Sequence, residues 1–156
     1  MPHKPSRRQL TGTVLVSACL LDIPCRYDCR SKSRPDVFED LDIIPVPICP
    51  EQLGGLPTPR SPSYFVGGDG NDVLKDKAIL MNREGIDVTK HFIHGADNVC
   101  RLARLLNIKW AILKEKSPSC GTHQVWLKDR LISGIGVTAA MLEQMGVSLL
   151  NEDEVI

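Results

Sequence analysis

Residues 13–19 read TVLVSAC, a run of β-branched and apolar side chains that ends at a cysteine. Such an uninterrupted apolar run is typical of a strand that is buried on both faces in a parallel sheet. Two further runs are alike: IIPVPI at residues 43–48 leads into a second cysteine, and WAIL at residues 110–113 leads through a short loop to a third. The prolines of the second run predict a strand at the sheet margin, because proline donates no ladder hydrogen bond.

Helical patterns alternate with these strands. A helix is predicted after residue 88, with Thr89 placed to cap it. Its apolar face is formed by Phe92, Ala96, Val99, Ala103 and Leu106. A second helix is predicted over residues 138–145, closed by Gly146 and followed by a last strand over 147–150.

Two hairpins complete the predicted fold. Residues 63–66 are expected to pair with 77–81, and residues 125–127 with 131–132. The order of elements predicts an α/β fold: a single domain with a mostly parallel sheet flanked by helices and with peripheral β-hairpins. At 156 residues, 42% of them hydrophobic, the chain is long enough for one buried core. We expect residues 1–11 to form a flexible tail and residues 12–156 to form the domain.

Charge and composition narrow the function classes. Nineteen basic residues balance nineteen acidic ones, which argues against nucleic acid or an anionic membrane as the partner and favours a small uncharged molecule. No run approaches the roughly 20 apolar residues of a membrane helix, and no signal peptide precedes the first strand. We therefore expect a cytoplasmic protein, and interpret its six cysteines as thiols rather than disulfides.

Three cysteines follow the apolar runs: Cys19, Cys49 and Cys120. Ligands of open α/β sheets bind in the crevice beyond the carboxyl ends of the strands, so this topology can bring the three thiols together. Their separations match neither a zinc finger nor a ferredoxin motif, so the prediction rests on position and no local motif identifies a metal. Cys100 falls on the apolar face of the long helix and is expected to be core.

Polar neighbours accompany two of these cysteines. Glu51 lies two residues after Cys49, and Ser117 and Ser119 precede Cys120. A carboxylate beside a metal-bound leaving group can act as a general acid or base, and hydroxyls can orient a substrate. The plainer alternatives are a helix-start charge for Glu51 and turn hydrogen bonds for the serines.

Several ordered motifs resemble the thiouracil desulfidase family, a bacterial domain family, over nearly the whole length after Thr13. The matching stretches are VSACLL (16–21), CRYD (25–28), VPICPE (46–51), GGLPTPR (54–60), DVT (87–89), LKEKSPSCG (113–121) and GIGVT (134–138).

The resemblance implies a [4Fe-4S] cluster with Cys19, Cys49 and Cys120 as its three ligands. The fourth iron would bind the thiocarbonyl sulfur of a thiolated pyrimidine such as 2-thiouracil, since an iron without a protein thiolate has an affinity for soft sulfur. The reaction would be a non-redox, hydrolytic cleavage of the carbon–sulfur bond that gives uracil and hydrogen sulfide.

The same resemblance implies roles for other residues. Glu51 is the candidate for proton transfer, and Ser117 or Ser119 for positioning water or substrate. The candidate substrate-binding residues are Asp28, Arg60 and Lys114.

The chain departs from the family pattern at two positions. Asp22 and Cys29 stand where the family usually has glycine. If those glycines serve turns with positive φ, the side chains here are strained. On this resemblance, Cys29 would be a fourth thiol able to compete for the open iron.

Three alternatives remain open at this point. A cluster enzyme of the same fold could act on another sulfur-containing substrate, such as a thiolated nucleoside or a persulfide. A structural zinc-binding protein would recruit Cys25 or Cys29 as a fourth ligand. A cofactor-free thiol enzyme would lower the pKa of Cys120 at a helix start.

Overall fold

The computed structural model describes residues 5–155. In chain order the strands are β1 Gly12–Ser17, β2 Ile43–Ile48, β3 Ser63–Val66, β4 Ile79–Asn82, β5 Trp110–Leu113, β6 Gln124–Leu127, β7 Arg130–Ser133 and β8 Ser148–Asn151. The α-helices are α1 Pro35–Phe38, α2 Pro50–Leu53, α3 Gly70–Leu74, α4 Thr89–Leu105 and α5 Val137–Gln144. Short 3-10 turns occupy Arg7–Gln9 and Ala18–Leu21.

The first sheet is parallel throughout and has the strand order β2-β1-β5-β8 within residues 5–155. Its central strand β1 carries Val14, Leu15 and Val16, which are all fully buried, as the apolar run predicted. The proline-containing strand β2 lies at the edge, so that prediction is also confirmed. The carboxyl ends of β1, β2 and β5 therefore meet at one end of this sheet.

Helices α4 and α5 pack together against the first sheet and enclose the main core. Four of the five residues assigned to the apolar face of α4 are buried, but Leu106 lies just beyond the helix and is 41% exposed. The expectation that Thr89 caps the helix is wrong, since the N-cap position is Val88. The Thr89 hydroxyl instead accepts a hydrogen bond of 2.9 Å from the amide of Leu80 and so ties α4 to β4.

The second sheet has the order β4-β3-β6-β7 in the described part of the chain. Both predicted hairpins form, as the antiparallel pairs β3–β4 and β6–β7. A parallel pairing of β3 with β6, which the sequence did not predict, joins the two hairpins into one mixed sheet. One face of this sheet packs Phe65, Leu80 and Val125 against Phe92 of α4.

The α/β architecture, with its mostly parallel first sheet and flanking helices, is the predicted fold class. Leu10, inside the segment expected to be a tail, is buried with 1% of its surface exposed, while residues 1–4 lie outside the described residues. Within residues 5–155, every helix is too short or too polar to cross a membrane.

Candidate functional site

A cavity of about 860 Å³ opens at the carboxyl ends of β1, β2 and β5. Cys19, Cys49 and Cys120 all contribute to its lining, together with Cys25. Three of these cysteines follow three different strands of the first sheet, so the parallel topology is what brings them to one place.

Each of the three cysteines is held by local backbone structure. Cys19 lies in the 3-10 turn after β1, and its carbonyl accepts a hydrogen bond of 2.8 Å from the amide of Lys32. Cys49 is the N-cap residue of α2, and its carbonyl accepts from the amide of Leu53. The amide of Cys120 donates to the hydroxyl of Ser117 over 3.1 Å.

The thiols of the cavity interact with one another. A hydrogen bond with the Cys19 thiol, reinforced by burial, raises the pKa of Cys25 to about 11. The pKa of Cys49 is also well above its usual range, because its thiol is hydrogen-bonded to Cys25 and buried. The Cys49 sulfur donates to the carbonyl of Cys25 over 3.7 Å. Cys25 is therefore a fourth sulfur at the site, in contact with two of the predicted ligands.

Cys120 is buried, with 4% of its surface exposed. Burial raises its pKa to about 12, although hydrogen bonds from Ser17 and Ser117 act in the opposite direction. This shift is the reverse of the lowered pKa that a cofactor-free thiol nucleophile requires, so it gives that alternative no support at Cys120. Buried thiols that keep their protons until a cation displaces them are instead typical of a metal-ligand set.

Whether the cysteines of the cavity can hold a metal group depends on whether that group is a single ion or a larger cluster. Among residues 5–155, no group of three or more His, Cys, Asp or Glu side chains is arranged to hold a single metal ion. The closed zinc site, with Cys25 or Cys29 as its fourth ligand, is thus not formed by the described side chains. Soft sulfur donors that face a wide cavity from three loops suit a polynuclear iron–sulfur group.

Glu51 lies in the first turn of α2 and lines the cavity. Its Oε1 accepts a hydrogen bond of 3.0 Å from Nε of Arg60, and the two side chains are 16% and 5% exposed. Arg60 also donates to the carbonyl of Cys25 over 3.0 Å and to the Thr58 hydroxyl over 2.9 Å. Arg60 itself lines the cavity, and these hydrogen bonds connect Glu51 to the Cys25 loop.

The two candidate serines are in different surroundings. Ser117 lines the cavity, and its Oγ accepts from the amides of Ser119 and Cys120 over 3.2 and 3.1 Å. Ser119 is 1% exposed, and its Oγ has no hydrogen-bond partner among the described residues. Ser17, which the sequence did not single out, also lines the cavity and accepts from the amide of Lys114 over 2.9 Å.

Of the candidate substrate-binding residues, Lys114 lines the cavity and Asp28 does not. Lys114 lines the cavity, and its Nζ lies 3.0 Å from Oε1 of Glu152. Asp28 pairs with Arg26 over 3.6 Å and is not among the described residues that line the cavity. The cavity lining of described residues thus brings together Glu51, Arg60, Ser117 and Lys114, but neither Asp28 nor Ser119.

Glu115 organises the loop before Cys120, a role that was not predicted for it from the sequence. Its Oε1 accepts from four amides, those of Lys116, Thr122, His123 and Gln124. Its Oε2 accepts from the side chains of Thr122 and Asn151. Burial alone would raise the pKa of Glu115, but the amides of His123 and Gln124 and the other donors outweigh it and lower the pKa to about 2.

Asp22 and Cys29 both have left-handed backbone conformations, with φ of 64° and 60°. Both side chains therefore lie in turns with positive φ, which is the condition under which strain was expected. Cys29 is exposed and is not among the described residues that line the cavity, so competition with the three cysteines for a bound metal is not supported.

The cavity is locally basic even though the chain is neutral overall. Seven basic side chains of the described residues line it, against three acidic ones, and three of the seven (Arg26, Arg60 and Lys114) are ion-paired with Asp28, Glu51 and Glu152. The basic residues are Arg26, Lys32, Arg60, Arg83, Lys114, Lys116 and Lys128, and the acidic residues are Glu51, Glu115 and Asp129. The neutral net charge of the chain was the basis for expecting an uncharged partner. It does not reveal that basic residues outnumber acidic ones around the cavity.

Comparisons with known proteins agree with this geometry. A family model described as 2-thiouracil desulfurase matches residues 14–154. The uncharacterized protein YbbK of Bacillus subtilis (strain 168) is 40% identical over 148 residues, which cover 90% of this chain and 96% of that protein. A solved structure of the [4Fe-4S]-dependent thiouracil desulfidase TudS has a TM-score of 0.77 at 34% identity, covering 92% of this chain and 93% of that one.

Proposed function

The chain belongs to the 2-thiouracil desulfurase family, and from that membership we propose that it removes sulfur from a thiolated pyrimidine such as 2-thiouracil. The products are uracil and hydrogen sulfide. Water supplies the oxygen and both protons that leave with the sulfur, so the reaction is balanced without an oxidant or a reductant.

The observation that carries this proposal is the convergence of three thiols from three loops on one cavity. In the proposal, Cys19, Cys49 and Cys120 hold a [4Fe-4S] cluster of the kind on which TudS depends. When bound, this group supplies an iron without a protein thiolate, which is a Lewis acid with an affinity for soft sulfur. Cys25, in contact with Cys19 and Cys49, lies beside the ligands as a neighbouring thiol.

Proton transfer is assigned to Glu51. Arg60 holds its Oε1 at 3.0 Å, so Oε2 is the oxygen available to accept a proton from the attacking water and to return one to the departing sulfide. The charge of Arg60 keeps this carboxylate fixed between the two transfers.

Ser117 and Lys114 are assigned to orientation. Both line the cavity, and the Ser117 oxygen accepts two amide hydrogen bonds that fix the position of its hydroxyl group. Ser119 and Asp28 lie outside the lining of described residues and have no direct part in this proposal.

A second candidate substrate is a thiolated nucleotide. The cavity of about 860 Å³ has room beyond a free base, and its basic excess suits an anionic phosphate. Comparing kcat/KM for 2-thiouracil with that for the corresponding thiolated nucleoside monophosphate distinguishes the two candidates.

The first experiment is anaerobic purification with quantification of iron and acid-labile sulfide, followed by an assay of sulfide release. We expect about four irons and four sulfides per chain, brown absorbance and release of sulfide from 2-thiouracil. Replacing Cys49 with Ser should remove both the iron and the activity, whereas the exposed Cys29→Ser control should retain both. Zinc or no metal after anaerobic reconstitution would contradict the cluster assignment.

Glu51→Gln tests the proton-transfer role. This variant keeps the size of the side chain and should keep the iron and its absorbance, while kcat falls by about 10² to 10⁴ because the acid–base group is lost. The measurement is turnover per bound cluster. Glu143→Gln, an exposed change on α5, is the matched control, and unchanged turnover in Glu51→Gln would remove Glu51 from the mechanism.

A further inference from the structure

The second sheet presents two different faces. Val125 and Leu127 of β6 pack into the core with Phe65 of β3. Because side chains alternate along a strand, Trp126 lies on the opposite face, where it is 42% exposed. Trp126 is thus a large aromatic side chain that the protein core leaves half uncovered.

Tyr64 lies on the same face as Trp126. The parallel pairing of Phe65 with Leu127 sets the register, and one residue back along both strands it places Tyr64 beside Trp126. Both residues line the cavity that Cys19, Cys49 and Cys120 also line. We call this pair, Tyr64 and Trp126, the aromatic wall.

We propose that the aromatic wall is the subsite on which the pyrimidine ring of the substrate stacks. This inference rests on the proposed desulfuration and deepens it. Tyrosine and tryptophan offer large flat surfaces with few rotatable bonds, so they bind a planar ring at a low entropic penalty. Stacking holds the plane of the ring and leaves its edge, which carries the sulfur, free to face the thiols.

The residues next to the wall fit the same ligand. Lys128 and Asp129, at the turn that follows β6, also line the cavity. Together they place a hydrogen-bond donor and an acceptor beside the wall. The alternating N–H and carbonyl groups of a pyrimidine edge require both kinds of partner.

Stacking has a consequence for specificity that other modes of binding do not share. 2-Thiouracil and 5,6-dihydro-2-thiouracil carry the same thiocarbonyl and N–H groups, but only the former has a planar conjugated ring. The cluster-loaded enzyme should therefore prefer 2-thiouracil. Trp126→Ala should lower kcat/KM for 2-thiouracil about tenfold or more while changing the value for the dihydro compound much less.

Trp126→Phe is the matched variant, since it keeps a ring at the same position and should retain most of the preference. Both substitutions are at a half-exposed site, so the fold should persist. Equal losses for the two substrates in Trp126→Ala, or no loss for either, would overturn the proposal.

A binding measurement separates this inference from the proposed function. The chain has two tryptophans, so Trp110→Phe leaves Trp126 as the fluorescent one. In this cluster-loaded variant, uracil, which has no sulfur, should quench fluorescence saturably, and 5,6-dihydrouracil should quench it much less. Quenching by uracil without sulfide release from 2-thiouracil would refute the proposed function and support the wall. Absence of quenching would refute the wall, whatever the activity.

Discussion

Two single residues outside the cavity lining have strained backbone conformations. Asp22 and Cys29 both adopt positive φ, a region that disfavours residues with a Cβ. Of these two described residues, only Asp22 has a side-chain hydrogen bond that offsets this backbone strain: its Oδ1 accepts a hydrogen bond of 2.7 Å from the hydroxyl of Ser31. The amide of Cys29 donates to the carbonyl of Arg26, while its side chain is exposed.

Replacing Cys29 with Gly should therefore raise the free energy of unfolding by about 1 kcal/mol, since the strain is relieved and only partly offset by the flexibility of glycine. Activity should not change, because the thiol is not among the described residues lining the cavity. Urea denaturation of the two proteins measures the difference. Asp22→Gly is the control and should gain less, since it loses the bond to Ser31; a rise in turnover in Cys29→Gly would show that this thiol reaches the site.

Arg60 is best understood as a positioning residue for Glu51. Arg60→Ala should lower kcat more than it raises KM, because the carboxylate loses its fixed partner, whereas the Arg60 side chain is only 5% exposed and contributes little of the cavity surface. Added guanidinium, or the Arg60→Lys variant, should restore part of the rate. Steady-state kinetics with Arg101→Ala as an exposed control provides the test, and a rise in KM alone would instead place Arg60 in substrate binding.

The sequence could predict residues whose role follows from their position after a strand. Cys19, Cys49 and Cys120 were found in this way, and Glu51 through its nearness to Cys49. Arg60 was noticed as a candidate substrate-binding residue, which stays a prediction. Its contacts with Glu51 and the Cys25 carbonyl were not foreseen, because they join segments that only the fold brings together. The hydrogen bonds of Glu115 to residues 116–124 and Asn151 were invisible for the same reason.

Among the elements, the loop between β5 and β6 is the one that depends most on a single side chain. Glu115 has a pKa of about 2 in the folded protein, below the ordinary value of 4.5. A lowered folded-state pKa means that the carboxylate contributes stability above pH 4.5, and that this contribution is lost as the pH falls toward 2.

Glu115→Gln should accordingly be less stable than the unchanged protein at neutral pH, with a difference that shrinks as the pH falls below about 4.5. The side-chain NH₂ group of the glutamine would also face the backbone amides that now donate to Glu115, so donors would oppose donors. Chemical denaturation at a series of pH values gives the difference. Glu143→Gln on α5 controls for loss of a charge, and a difference independent of pH would argue against a buried, ionised Glu115.

Elements were predicted unequally. The bounds of β2 and β5 agree with the expected runs, because an uninterrupted apolar stretch of this length is most simply explained as a buried strand. The parallel β3–β6 contact was missed, since each strand is only four residues long and its partner is distant in the chain. That contact is also what places Tyr64 beside Trp126, so the aromatic wall had no signature in the sequence.

At the scale of the whole molecule, the proposed cluster would connect three segments separated by long stretches of chain. A group that binds the folded chain and not the unfolded one stabilises the fold. We expect the iron-loaded protein to have a higher Tm than protein from which the iron was removed by a chelator. Differential scanning calorimetry under argon measures the shift, Cys49→Ser should show none, and equal Tm values for loaded and stripped protein would contradict a structural contribution.

Neutral overall charge was the least informative feature of the sequence. It counts nineteen residues of each sign without their positions, whereas the cavity lining contains seven basic and three acidic side chains of the described residues. Only the fold determines which of the charges face one another.

The prolines of β2 have a further effect on how copies of the protein meet. β2 forms a complete ladder with β1, and Pro45 and Pro47 lie at alternate positions of that ladder. Their nitrogens therefore face away from β1, where an ordinary residue would offer an N–H to an incoming strand. Ile44, 65% exposed on this open edge, would otherwise invite edge-to-edge aggregation. The two imino acids thus protect a concentrated solution of the protein from polymerising through its own sheet.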